Sequence, residues 1–153
     1  MGHINWARVI LGGLLAGIVI NAFEFVSNSL VLPNDWAVAM RALGKPERFA
    51  AGQIAAFVLW GFLVGIFAIW MYAELRPHYS ARPMTAVIAG LAVWFLGYLL
   101  ASVMPVTLNL FPGRLMLIGL AVGLVEAIVG TMAGAWLYQS VMERGQSMAP
   151  AKS

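Results

Sequence analysis

The chain has 153 residues, 62% of them hydrophobic and 10% charged, with a formal net charge of +3 and a mean hydropathy of +0.88. Soluble domains carry about 25% charged residues, so this composition cannot clothe a water-facing globule and points to an integral membrane protein. The Lys and Arg residues are scattered over connections and termini without a basic run, which argues against nucleic acid as a partner, and the absence of cysteine excludes disulfides and thiolate metal sites.

Four apolar segments are each longer than the roughly 20 helical residues that a hydrocarbon core demands. They run from about Trp6 to Leu32, Ala50 to Leu75, Met84 to Met104 and Arg114 to Val141. None alternates polar and apolar as a barrel strand does. Lipid offers the backbone no partner, so each segment is expected to be helical. The expected fold is an all-α bundle of four membrane-spanning helices, with a short interfacial helix after the first. Residues 1–144 form a single membrane domain and 145–153 a frayed tail.

The first segment begins like a secretory signal, "MGHINWARVILGGLLAGIVINA", but apolar character resumes at Phe23 and continues to Leu32. It is therefore read as an uncleaved span rather than a leader. The connection "PNDWAVAMRALGKPERF" carries the short helix, with Asn34 or Asp35 as its cap, Gly44 as its stop and Trp36, Met40 and Leu43 on one face. Gln53 caps the second span. The second connection is broken by Pro77 and Pro83, the third bounded by Pro105 and Pro112. With an even number of spans both termini share one side. That side holds Arg8, Arg76, Arg82, Arg144 and Lys152, against Arg41, Lys45, Arg48 and Arg114 opposite. This small excess favours cytoplasmic termini. Trp6, Trp70, Tyr72, Tyr79, Trp136 and Tyr138 gather at the terminal side as an interfacial belt.

The chemistry lies in what the membrane makes expensive. Each helical residue advances about 100°, so Gly13, Gly17, Asn21, Glu24 and Asn28 share an arc of about 80°. Gly119, Gly123, Glu126, Gly130 and Gly134 do the same in the fourth span. Small residues let helix backbones approach, so both glutamates are aimed at other helices rather than at lipid. A charge at a helix centre costs about 2.5–3.5 kcal/mol on insertion scales, and a Leu or Ile returns only about 0.3–0.6. No Lys or Arg sits mid-span to pair with either acid, so protonation is the inexpensive solution. Glu24 is estimated to lie four to six residues, about 6–9 Å, from the depth of Glu126. Trp60, Trp94 and Tyr98 also sit too deep for a belt. The candidate proton- and ligand-binding set is thus Glu24, Glu126, Asn21, Asn28, Trp60, Trp94 and Tyr98. Asn21 and Asn28 would orient Glu24, and the aromatic groups would contact a small cationic or apolar ligand.

Other chemistry is scarce. His3 and His78 near one interface make a poor metal site, and neither is placed to ligate a buried haem. No phosphate loop, nucleophile elbow or metalloprotease motif is present. No cofactor or metal is expected, and an enzyme would have to work with Glu24 and Glu126 alone. Expected partners are the lipid bilayer, a proton or small-molecule ligand and a second copy in a homodimer. The same acids could instead serve as neutral packing groups, or dock the chain on another membrane protein.

"VILGGLLAGIVINAFEF", "LPNDWAVAMRALG", "FVLWGFLVGIFAIW" and "GLAVGLVEAIVGTMAGAWLY" together resemble the small bacterial four-span membrane proteins that carry no assigned function. That resemblance spans most of the chain and implies a topology and a bacterial source. A more distant resemblance runs to the small multidrug resistance transporters, four-span proteins whose first-helix glutamate exchanges protons for hydrophobic cations. Glu24 stands at the matching position. This chain departs from them in its greater length, its long first connection and its second glutamate in the last span.

Overall fold

The computed structural model describes residues 4–79 and 83–147, with side chains described through 140. Regular structure among the described residues is entirely helical. Helix α1 (Trp6–Phe25) begins at Asn5, whose side chain accepts from the Arg8 amide at 3.3 Å, as an N-cap should. It continues into a π-helical segment, π1 (Val26–Val31). The short α2 (Pro33–Ala42) follows, then α3 (Ala51–Tyr79). The third span is α4 (Pro83–Trp94), a second π-helical segment π2 (Phe95–Leu99) and α5 (Leu100–Thr107). The last is α6 (Gly113–Ser147). Four stretches, Trp6–Val31, Ala51–Tyr79, Pro83–Thr107 and Gly113–Ser140, are long and apolar enough to cross a membrane.

Helix α1 lies between α3 and α6, while α4 packs on α6 and α3. Between lipid-bathed helices no hydrophobic drive operates, so dispersion contacts at close range hold the seam. Glycine sets that range. A Cβ on Gly65 of α3 would stand 2.5 Å from both the Gly13 oxygen and the Gly17 nitrogen of α1. On the other side of α1, Gly12 lies against Gly134 and Ala16 against Gly130 of α6. The two helices thus run antiparallel, four residues forward on one matching four back on the other.

The bundle is tightest toward the termini, where Val9, Ala16, Ile69, Tyr72, Ala89 and Ala135 share one buried cluster. The opposite half is looser. The first ten residues of α3, 51–60, are all exposed. The third and fourth spans part around a cleft of about 390 Å³ whose walls include Leu99, Val106, Met116, Leu117 and Leu120. Helix α2 closes that end against α6. Leu32, Ala39 and Leu115 are buried together, with Trp36, Phe111 and Ile118 packed around them.

Several local expectations need correction. Helix α2 starts at Pro33 without a side-chain cap; Asp35 instead receives the Arg114 guanidinium at 2.7 Å. Gly44 ends α2 as expected, with φ of 67° and the Lys45 amide reaching back to the Met40 oxygen at 2.9 Å. Gln53 caps α3 by accepting from the Ala50 amide at 2.8 Å. Pro77, expected in the second connection, lies inside the last turn of α3, which runs on to Tyr79; its missing N–H leaves one carbonyl a turn earlier without its helical partner. Pro105 likewise lies inside α5, and the chain turns later, at Asn109 with φ of 51°. Tyr72 and Tyr138 are not belt residues. They are buried, meet edge to face at 5.9 Å, and Gln139 donates to the Tyr72 hydroxyl. Trp6 and Trp136 do face outward. Helix α6 runs on to Ser147, past the expected start of the frayed tail at 145; His3, Arg82, Lys152 and the rest of that tail lie outside the described residues.

Candidate functional site

The register of α1 and α6 decides what the two acids can do. One step beyond the Ala16–Gly130 contact brings Ile20 opposite Gly130's next turn, at Glu126, so Glu24 stands one turn away from Glu126 along the seam. Side chains lean toward the N-terminus of their own helix. On antiparallel helices the two acids therefore lean toward each other. The remaining offset, about 6 Å for four residues, is within the combined reach of two glutamate side chains. The carboxyls of Glu24 and Glu126 come within hydrogen-bonding range of one another.

Each acid also takes one donor from outside the pair. The Tyr98 hydroxyl donates to Glu126 Oε1 at 2.6 Å. The Asn28 amide donates to Glu24 Oε2 and, at 3.0 Å, to the Glu24 backbone oxygen. Asn28 is held in turn by the Trp36 indole, which donates to its Oδ1 at 2.7 Å. Glu126 is completely buried, and its Oε2 meets no N–H or O–H donor among the described residues. The polar group left to it is the Glu24 carboxyl. A hydrogen bond between two carboxyls requires that one of them carry a proton. Two adjacent carboxylates with no cation between them also repel strongly in a medium of low dielectric.

The local backbone is built for this. Segment π1 begins two residues after Glu24, and Tyr98 lies within π2. A π turn widens the helix and redirects the side chains beside it, and such turns recur at functional sites. Side chains serve the carbonyls near each changeover. The Glu24 oxygen accepts from Ser27 Oγ at 3.3 Å as well as from Asn28, and the Leu99 oxygen accepts from Ser102 Oγ at 2.7 Å. Gly123, one turn before Glu126, leaves the space that the Tyr98 ring fills. A Cβ there would lie 2.8 Å from Tyr98 Cε1.

Of the seven residues singled out from sequence, Glu24, Glu126, Asn28 and Tyr98 come together. Trp94 sits one turn from Tyr98, half-buried, with its indole donating to the Leu120 oxygen at 2.9 Å. Asn21 does not orient Glu24. Its amide donates to the Gly17 oxygen at 2.8 Å and the Val58 oxygen at 3.2 Å, and it fills the notch at Gly61 of α3. It is an α1–α3 joint. Trp60 is not in the group either: it is 59% exposed. Nor does the whole glycine face of the fourth span meet a helix, since nothing lies within 4 Å of a Cβ on Gly119. Sequence reasoning put Trp36 on the face of α2 but did not connect it to the acids. Trp36 lies in a connection and Asn28 in a span, so no spacing signalled the link. Among the described residues no three His, Cys, Asp or Glu side chains gather as metal ligands would.

The chain matches no family model, no curated protein and no solved structure.

Proposed function

We propose that this small integral membrane protein binds a proton at the Glu24–Glu126 pair and couples that proton to a small cationic or amphipathic molecule. The observation that carries the reading is the pairing itself: two carboxyls from antiparallel spans within hydrogen-bonding range, in spans that contain no Lys or Arg beside them. Such a pair is stable with one proton and a charge of −1. A monovalent cation restores neutrality in the proton's place, which is the exchange a proton-linked carrier needs. Glu24 is only half-buried, so it is the member an incoming ion meets first. Tyr98 and Trp94 supply the aromatic surface beside it. The protein is taken to be non-enzymatic and to work in a bacterial plasma membrane, with homodimerisation as the simplest assembly.

The test uses proteoliposomes with a trapped pH indicator and tetraphenylphosphonium as probe. The reading expects proton movement on addition of the cation, lost in both Glu24→Gln and Glu126→Gln. No proton movement in the unaltered protein, or full movement in both variants, overturns it.

A second reading has its own support in the complete burial of Glu126 and the tight seat of Tyr98 at Gly123. There the acids are neutral packing groups. It expects Glu126→Gln to preserve stability, since Gln offers similar bonds, and the unaltered protein to show no probe-dependent proton movement.

A further inference from the structure

The cleft between the third and fourth spans has a direction. It follows one face of each, from Gly113 to Leu120 on α6 and from Thr107 back to Leu99 on α5 and π2. At 1.5 Å per residue these stretches cover about 10–12 Å, most of one leaflet in a hydrocarbon core about 30 Å thick. The outer end lies where the two spans turn, at the membrane boundary. The walls are apolar. Their hydroxyls are already spent, Ser102 Oγ on the Leu99 oxygen and Thr107 Oγ1 on the Val103 oxygen, each at 2.7 Å. The Leu120 oxygen holds the Trp94 indole. A buried water needs roughly two to four polar partners, and no free polar side chain lines this slot. Val103, Val106 and Leu117 stand exposed along it, so it opens sideways to lipid.

The rim of the slot is cationic. Next to Gly113 stands Arg114, its side chain 68% exposed, which gives one nitrogen to Asp35 at 2.7 Å. A guanidinium carries several N–H donors, so others remain for a second anion. The connection after α2 sits at the same end. Trp36 meets Phe111 on one side and Phe49, the neighbour of Arg48, on another, with ring centroids 5.7 and 5.6 Å away. In this connection and the turn before α6, Arg41, Lys45, Arg48 and Arg114 face only Asp35 and Glu47. Both acids are taken, Asp35 by Arg114 and Glu47 by Arg41. Lys45 and Arg48 have no acidic partner among the described residues.

We propose that the cleft seats one acyl chain of an anionic phospholipid, whose phosphate lies at the rim formed by Arg114 and the loop 45–48. An apolar slot open to the bilayer fills with what the bilayer is made of, and the surplus charge at its mouth selects among headgroups. A zwitterionic lipid offers the same chain without the net charge. The site is separate from the acid pair and does not depend on the proton reading.

The experiment photolabels the full chain in phosphatidylcholine nanodiscs doped with phosphatidylglycerol or phosphatidylcholine that carries a diazirine midway along one acyl chain. Mass spectrometry reads the labelled peptides. The proposal expects label concentrated on 99–107 and 113–120. Phosphatidylglycerol should exceed phosphatidylcholine by about tenfold or more, since each uncompensated cation near the surface is worth about fivefold. Combining Lys45→Gln with Arg48→Gln should cut that preference below about threefold and leave the label on the same peptides. Ser102→Leu fills the slot from its buried wall and should clear the label. Leu117→Trp should do the same from the 70% exposed position of Leu117, where the fold has room for the larger side chain. Label spread evenly over the exposed faces of all spans, 51–60 included, overturns the seat. Label confined to the cleft but equal for the two lipids overturns the part given to the headgroup. A cleft shielded from both lipids, in a chain that crosslinks to itself, gives the slot to a second copy and overturns the proposal.

Discussion

Tyr98→Phe removes one oxygen atom and leaves the ring in its seat at Gly123. The bond lost is the 2.6 Å contact to Glu126 Oε1, short for a hydroxyl donor. Interhelical hydrogen bonds in membranes are worth about 0.6 kcal/mol on average and about 1.7 at most. Glu126 is completely buried, so its oxygen finds no water to replace the hydroxyl, and an orphaned buried acceptor costs about 1–3 kcal/mol. These overlap at a destabilisation of about 1–2 kcal/mol, a factor of roughly 5–30 in the unfolding constant. The magnitude discriminates, because stripping the partner from a fully charged buried carboxylate costs about 3–5 kcal/mol. Reversible unfolding in mixed detergent micelles, followed by tryptophan fluorescence, measures the difference. No measurable change means that the hydroxyl does not reach Glu126 in the folded protein. A loss beyond about 3 kcal/mol means that Glu126 stands as a bare carboxylate, which refutes a proton held on Glu126 within the pair.

Three further outcomes follow from the packing. Gly65→Ala forces its Cβ onto the Gly13 and Gly17 backbone of α1 and should destabilise the bundle by about 1–3 kcal/mol, whereas Gly97→Ala, with open space at its Cβ, should change stability by no more than about 0.5 kcal/mol; the same micelle titration compares them. Gly123→Ala drives its Cβ into the Tyr98 ring and should cost more than Tyr98→Phe; the double variant should fall short of the sum of the two, because the bond to Glu126 is lost only once, as a double-mutant cycle would show. Trp60→Phe should leave cation-driven proton movement in proteoliposomes unaltered, because that indole faces away from the bundle; a lost signal would restore Trp60 to the site.

The architecture was legible because lipid leaves a chain so few choices. Length, hydropathy and the glycine faces led directly to four packed helices, and the faces of Glu24 and Glu126 did turn inward. What sequence periodicity could not supply was the detail that depends on departures from a regular helix. A constant 100° step put Asn21 on the same face as Glu24 and Asn28. In the folded chain α1 is flanked by α3 and α6, and a face 80° wide is shared between them. Asn21 therefore serves the α3 seam while Glu24 serves α6. The π turns at 26–31 and 95–99 have no sequence signature in a regular-helix reading, yet they flank Glu24 and carry Tyr98. Trp60 was misjudged because depth along a helix says nothing about direction around it. The link from Trp36 to Asn28 runs between a connection and a span, where no single periodicity applies.

The convergence of the two acids is tested most directly by solid-state NMR on protein in bilayers with 13C-labelled glutamate carboxyls. The account predicts a through-space cross-peak between the side-chain carboxyl carbons of Glu24 and Glu126, absent in Glu24→Gln and in Glu126→Gln alike. Well-resolved signals for both residues with no cross-peak between them would contradict it.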